Sequence, residues 1–324
     1  MNIIQITNNF PTELSAINYF EKVRWGNKIR CPYCNSVNKS ARNQDHRYHC
    51  KDCSKTYSVT VNTHIHNTRL PLKMWLYAIA LISDAKKGMS AKQLERNLGI
   101  HYETAWTMYH KLRDLMTIEN NSIRLNGVVE MDETFLGGKP RKNAKMMLSS
   151  SEKENLDLKL YDLKQDFGCS ESKYKKRYPT VKPKRGRGAN RPIVAGIVER
   201  DGNVIAEVMQ RLTHSELKAM VKKHVDRDES ILVTDEYKGY HRMSNIIEHI
   251  KIDHQKMWSY KGINTNSIEG FWSIIKRGLV GQYHHVSLEY LPKYIAEFVF
   301  KYNNRNDDDM FITLVRNCML PINR

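Results

Sequence analysis

The sequence predicts a multidomain chain of mixed α+β and α/β class. A small metal-held N-terminal region and a helical pair precede a larger domain built on a mixed central sheet. Three observations carry that reading. Two C-x2-C pairs stand near the N-terminus, apolar residues recur at helical spacing from Leu72 to Met116, and short Val- and Ile-rich runs begin at Gly127. A length of 324 residues leaves room for two or three domains, each with a workable core.

Composition narrows the class of partner. The formal net charge of +17 favours polyanions, of which DNA is the commonest large one. No apolar run approaches the roughly 20 residues that span a bilayer, so no membrane partner is expected. The N-terminal MNIIQITNNFPTEL lacks the basic and apolar regions of a secretory signal, and a cytoplasmic protein is expected. Six cysteines in that compartment argue against a disulfide framework. Cys169 and Cys318 are isolated and read as ordinary buried or tolerated thiols rather than nucleophiles.

Taken in chain order, the first motif is Cys31-Pro-Tyr-Cys34, then fifteen residues, then Cys50-Lys-Asp-Cys53. Each pair forms a knuckle with two thiolates facing one ion, and two knuckles supply the four soft ligands of tetrahedral zinc. All four positions are filled, so the site is expected to be structural, holding together a region too small to fold on apolar burial alone. His64 and His66 are then superfluous as ligands. Lys39, Arg42, Arg47 and Lys51 around the knuckles suit either contact with DNA or a solvated face.

In SAKQLERNLGIHYETAWTMYHKLRDLM, Ser90 suits the cap of a helix ending near Asn97, Gly99 permits a turn, and a second helix runs from about His101 to Met116. Trp106, Leu112 and Leu115 are expected to pack inward. Tyr102, Glu103 and Thr104 are expected at the exposed N-terminal end, where a recognition helix meets base edges. Beyond Gly127 the runs VVEMDETF, PIVAGIVE, NVIAEVM and ILVTD read as strands, while HSELKAMVKKHV and SLEYLPKYIAEFVFKYNNR read as helices. The lysine-rich stretch 139–191 interrupts the strands as a basic insertion, either a solvated tether or an arm for DNA phosphates.

Three acids occupy unusual settings. Asp132 ends the first apolar run, Asp235 ends ILVTD, and Glu269 opens the helical run NTNSIEGFWSIIKRGL, with Lys276 two turns later on about the same face. Carboxylates converging from strand ends and a helix start would bind hard divalent cations through oxygen. Two such ions can activate an attacking oxygen and stabilise a leaving one in phosphodiester chemistry, with Lys276 placed to hold a DNA phosphate.

With these residues in view, the chain resembles the bacterial insertion-sequence DDE transposases that carry an N-terminal zinc ribbon, an ISXO-like group related to the Merlin transposases. The matching stretches are CPYC and CKDC, LPLKMWLYAIALISDAKKGMSAKQL, MDETFLGGK, VTDEYKGY, NTNSIEGFWSIIKRGLVGQYHHVS and EFVFKYNNR, spread over about residues 25 to 305. The resemblance implies an RNase H-like catalytic fold and magnesium or manganese at the catalytic site. It also implies cleavage and strand transfer at terminal inverted repeats, carried out by a homo-oligomer on double-stranded repeat and target DNA. Asp132 and Asp235 match the first two metal-binding acids and Lys276 the trailing basic residue. Some members carry Asn as the third metal-binding residue, which makes Asn266 the alternative. Glu269 is preferred, because a carboxylate holds a cation better than an amide and its seven-residue gap to Lys276 fits the pattern. His284 and His285 match as well, as a packed or phosphate-adjacent pair.

The expected domains are therefore a zinc ribbon over 1–65, a helix-turn-helix region over 66–120, an RNase H-like DDE catalytic domain over 121–310 that includes the insertion, and a C-terminal tail over 311–324. The competing functions are a nuclease or resolvase that cuts without joining and a transposase-derived DNA-binding regulator. Retention of all three acids argues against the regulator.

Overall fold

The computed structural model describes residues 1–120, 123–137, 192–252, 265–306 and 310–322. The chain separates into two compact units, one formed by Met1–Thr134 with Ile193–Arg324 and the other by Phe135–Pro192. The basic insertion predicted at 139–191 lies outside the described residues.

The first unit opens with two helices that the sequence reading did not anticipate, α1 (Ile3–Asn9) and α2 (Glu13–Trp25). Each begins with a capping box, Asn2 with Gln5 and Thr12 with Ser15, in which side chain and backbone satisfy each other's orphan groups. A small antiparallel pair, β1 (Tyr48–His49) and β2 (Thr56–Tyr57), follows. Next come α3 (Leu72–Asp84), α4 (Ala91–Leu98) and α5 (Tyr102–Asn120). The Ser90 side chain caps α4 by accepting from the Gln93 N–H. Gly99 ends it at φ 64 and ψ 31, a left-handed conformation that a Cβ would strain. Leu112 and Leu115 are buried as expected, but Trp106 is only half-buried.

The larger sheet has the order β5-β4-β3-β6-β7. Its strands are β3 (Leu125–Phe135), β4 (Ile193–Glu199), β5 (Val204–Met209), β6 (Val225–Thr234) and β7 (Glu248–Lys251). β3 and β7 each run parallel to β6, while β4 and β5 form an antiparallel hairpin, so the sheet is mixed as predicted.

Alternation sorts the side chains of β3. Val129 and Met131 join a core with Leu217, Met220 and Val221 of α6 (His214–His224). Glu130 and Asp132 take the other face, towards α7 (Asn266–Gly278), which packs against β4. Gly196 of β4 makes that packing close. An added Cβ there would lie 2.7 Å from the Trp272 ring, so a side chain would displace the helix.

A π-helical turn, Leu279–Tyr283, leads from α7 towards α8 (Leu291–Asn303) and α9 (Met310–Met319). Residues 311–324, expected as a tail, instead supply the buried Phe311, Leu314, Val315 and Cys318 of α9. These join Ile6, Phe20, Leu76 and Leu112 in one core. Burial of that apolar stripe holds the chain end in place, and the same core joins segments assigned from sequence to separate domains.

Beneath α5 and α8 lies a fully buried carboxylate, Glu297. It pairs with Arg113 at 2.9 Å and Lys301 at 2.7 Å, and it accepts from the Tyr109 hydroxyl at 2.6 Å and the Tyr283 hydroxyl at 3.0 Å. Burial pushes its carboxyl up, but the two cations more than offset that and hold it at about 2. Removing one partner of such a group strands the others without water. Glu297→Ala should therefore cost about 3–5 kcal/mol of unfolding free energy in urea titration; a loss below about 1 kcal/mol would show that the cluster is hydrated.

Candidate functional sites

The knuckles place Cys31, Cys34, Cys50 and Cys53 so that all four sulfurs lie within 4.8 Å of one another. Cys31 and Cys53 are 3.6 Å apart and Cys34 and Cys50 are 3.5 Å apart, close to the roughly 3.8 Å edge of a tetrahedron with zinc–sulfur bonds near 2.3 Å. The local chain suits this arrangement. Asp52 accepts from Ser36 and from the Asn38 amide, tying one knuckle to the other.

Four sulfurs at these distances compete for protons. Backbone N–H groups, that of Cys53 foremost, hold Cys50 down to about 7. At Cys34 the Ser36 N–H pulls downward, but desolvation and the neighbouring sulfurs push the thiol up to about 12. A divalent soft cation removes that competition, so the donor set fits zinc. Two of the basic residues around the knuckles have partners within the fold. Arg42 turns to Glu21 and Asn18, and Lys39 lies over the Tyr48 ring, so both serve the fold.

The carboxylates begin from strand register. Met131 of β3 pairs with Thr234 of β6 in parallel; one residue further, Asp132 is still within β3, not at its end as expected, and Asp235 follows the last residue of β6. Burial first, then Glu133 and Asp235, push the Asp132 carboxyl up to about 6. Its Oδ2 accepts from the Trp272 indole N–H at 3.0 Å. At Asp235, Oδ1 accepts from the Tyr237 N–H at 2.9 Å. Glu133, on the opposite face of β3, takes the Tyr240 hydroxyl at 2.7 Å.

Glu269, Asn266 and Lys276 are exposed on α7. By helical geometry Glu269 sits about 60° and Lys276 about 40° around the axis from Trp272, while Asn266 sits about 120° away. Glu269 and Lys276 therefore flank the side of the helix that meets Asp132. Among the described residues the four cysteines form the converging group of three or more ligating side chains. Asp132 and Asp235 are brought together, and Glu269 is not gathered with them.

One residue of this site was missed in the sequence. Glu130 is fully buried, pairs with Arg200 at 3.1 Å, and accepts from the Ser267 and Ile268 N–H groups at 2.9 and 3.1 Å. Thr265 gives α7 no side-chain cap, and Glu130 supplies the missing acceptor from another element. The signal was present: an acid two residues before Asp132 in an apolar strand must share its face.

Two family models match these regions. Residues 11–56 match a transposase zinc-ribbon domain, and residues 170–303 match an ISXO2-like transposase domain. Both matched segments are therefore of transposase type. The second match contains Asp235, Asn266, Glu269 and Lys276, whereas Asp132 lies before it. A curated relative, an uncharacterized protein in transposable element ISH50 of Halobacterium salinarum, is 25% identical over 130 residues. That match covers 39% of this chain and 43% of the relative, so the chain spans under half of that relative's length. Two solved structures are also similar to this chain. A pre-cleavage Mos1 transpososome shares 9% identity at a TM-score of 0.26, covering 77% of this chain and 80% of that one. A Mos1 paired-end complex with the left transposon end shares 10% at 0.21, covering 71% and 76%. Scores this low carry no structural argument.

Two expectations follow for these sites. Chelation of zinc, or Cys50→Ser, should loosen the aromatic cluster in which Trp25 packs edge-on against Tyr48 and Tyr57 at 6.4 and 6.1 Å. Near-ultraviolet dichroism should fall while far-ultraviolet helix signal persists, and elemental analysis should give about one zinc per chain. An unchanged aromatic signal after complete chelation would contradict a structural metal.

The second concerns Asp132, whose folded carboxyl sits at about 6 against an ordinary 3.8. A raised value means that the folded state holds the proton more tightly. Its favourable contribution is complete below about pH 4 and is lost as pH rises through 6. Asp132→Asn should therefore stabilise the cation-free protein at pH 8 by up to about 3 kcal/mol and change little near pH 4. Calorimetry at the two pH values checks this, and equal shifts at both would remove the electrostatic explanation.

Proposed function

We propose that this transposase binds the terminal inverted repeats of its element. In this reading it then cuts and joins DNA at a divalent-metal site formed by Asp132, Asp235 and Glu269, assisted by Asn266 and Lys276. The observation that carries the reading is the parallel β3–β6 register with α7 docked across it. Two acids stand side by side, and a third acid and a lysine are borne on the helix that touches the first. The strand order supports an RNase H-like catalytic fold, and α4–Gly99–α5 supports a helix-turn-helix reader, with Tyr102 and Glu103 exposed at the start of α5.

The residues fit a cation. Asp132 is crowded by Glu133 and Asp235, a cluster whose mutual repulsion a bound divalent ion relieves. Asp132, Asp235 and Glu269 would hold it, with magnesium or manganese as the hard ion that oxygen ligands select. When bound, two such ions supply activation of an attacking oxygen and stabilisation of a leaving one.

The protein's own groups prepare that site. Trp272 N–H fixes one oxygen of Asp132, and Tyr237 N–H fixes one oxygen of Asp235. Glu130 locks the start of α7, so the helix presents Glu269 and Lys276 from a fixed position. Lys276, exposed and on the Asp132 side, meets the phosphate of incoming DNA. The same site serves hydrolysis and joining, because each is an in-line attack on a phosphodiester by an oxygen.

Duplexes carrying the element's ends provide the test. Asp132→Asn, Asp235→Asn and Glu269→Gln should each lower cleavage and joining together by on the order of a hundredfold or more, with end binding retained. Asn266→Ala should be milder. Near-normal activity of Glu269→Gln beside a dead Asn266→Ala would transfer the third position to the amide. Cleavage without joined product would favour a nuclease.

A further inference from the structure

Between the α4–α5 pair and the chain that follows α7 lies a cavity of about 540 Å³ that the zinc site and the acids do not use. Its walls include Tyr102 and Trp106 of α5, Tyr290 before α8, Lys92 near the start of α4, and His284 and His285. Among the described residues no carboxylate lines it, and Lys92 is paired with Glu95 of the same helix at 2.6 Å. Trp106 packs edge-on against Tyr290 at 5.3 Å, and the Lys92 ammonium stands 5.8 Å from the Tyr102 ring centre. Tyr102 is 46% exposed although it is a large aromatic residue.

The histidine rim is held in place. Tyr283 is anchored through its hydroxyl to Glu297, and the next residue, His284, adopts φ 57 and ψ −51, a conformation that a side chain rarely takes. That bend turns two exposed imidazoles out beside the cavity. Aromatic surface below, and two imidazoles and an ammonium at the rim, suit a ligand that is flat at one end and anionic at the other. A nucleotide has that shape. A base within a duplex is stacked and paired, so a base can enter only when it is unpaired.

We propose that this cavity receives an unpaired DNA nucleotide, its base against Trp106 and Tyr102 and its phosphate facing Lys92, His284 and His285. The proposal rests on the DNA-binding reading above. Under that reading the start of α5 lies on DNA, and Tyr102 there is one wall of the cavity, so a nucleotide displaced from the duplex has a short path to it.

The test uses two probes with the full chain, a fluorescent oligothymidylate and a fully paired duplex of equal length. Trp106→Ala should weaken oligothymidylate binding roughly tenfold, as expected for loss of one stacking partner, and leave duplex affinity unchanged. His285→Ala, on an exposed side chain that leaves the core intact, should weaken the same probe several-fold. Oligothymidylate carrying 5-iodouracil should photocrosslink to the peptides containing Tyr102, Trp106 or Tyr290. Crosslinks confined to other segments, or unchanged oligothymidylate affinity in both variants, would overturn the cavity assignment alone. If neither probe binds the wild-type chain, the DNA-binding reading itself fails.

Discussion

The docking of α7 onto the sheet depends on Glu130. A helix start leaves backbone N–H groups without partners, and Thr265 supplies no side-chain acceptor there. Glu130 reaches across from the middle of β3 to two of them while Arg200 balances its charge. The helix thereby gains its cap only when it lies on the sheet. The same strand carries Asp132 two residues on and the helix carries Glu269 and Trp272, so one buried carboxylate sets the relation between the two halves of the candidate catalytic site. The device recurs at α3, whose Pro71 also provides no cap. There Glu13 of α2 accepts from the Leu72 and Lys73 N–H groups at 2.6 and 3.1 Å. In both places a helix is completed by tertiary contact rather than by its own sequence, which couples its formation to packing.

A second buried carboxylate ties the helical front to the chain beyond α7. Glu297 of α8 gathers Tyr109 and Arg113 from α5, Lys301 from its own helix and Tyr283 from the turn after α7. The N-terminal helices and α9 share one apolar core with α3–α5. Segments that read as separate modules are therefore mutually dependent. A fragment ending near Met116 would expose the surface that Phe311, Leu314 and Val315 cover, which is why questions about DNA binding belong to the whole chain.

The zinc ligands, the strands, the Ser90 cap and the Gly99 turn were all legible in the sequence. Each is a local signal: a two-residue gap between thiolates, a period of two, a cap at the first turn, a residue without a Cβ. Asp132 and Asp235 were singled out as acids closing apolar runs; Asp235 does follow β6, whereas β3 continues three residues past Asp132. The helices α1 and α2 escaped notice, although Asn2 with Gln5 and Thr12 with Ser15 carried their start signals. Trp106 was read inward by its helical spacing and instead borders a cavity, because the partner on that side is the histidine-bearing segment far along the chain.

By itself, then, the sequence determined the four thiolate ligands, the cap and turn of α4 and the acids and bases available for chemistry, since these follow from side-chain type and from spacing along a few turns or strands. Only the tertiary structure decided that Glu130 caps α7, that Glu297 joins α5 to α8, that residues 311–322 fill a core and that aromatic and basic groups line one cavity. Each of these joins residues that are distant in the chain. A buried charge or an orphan N–H demands a partner, but nothing in the local sequence says from where that partner will come.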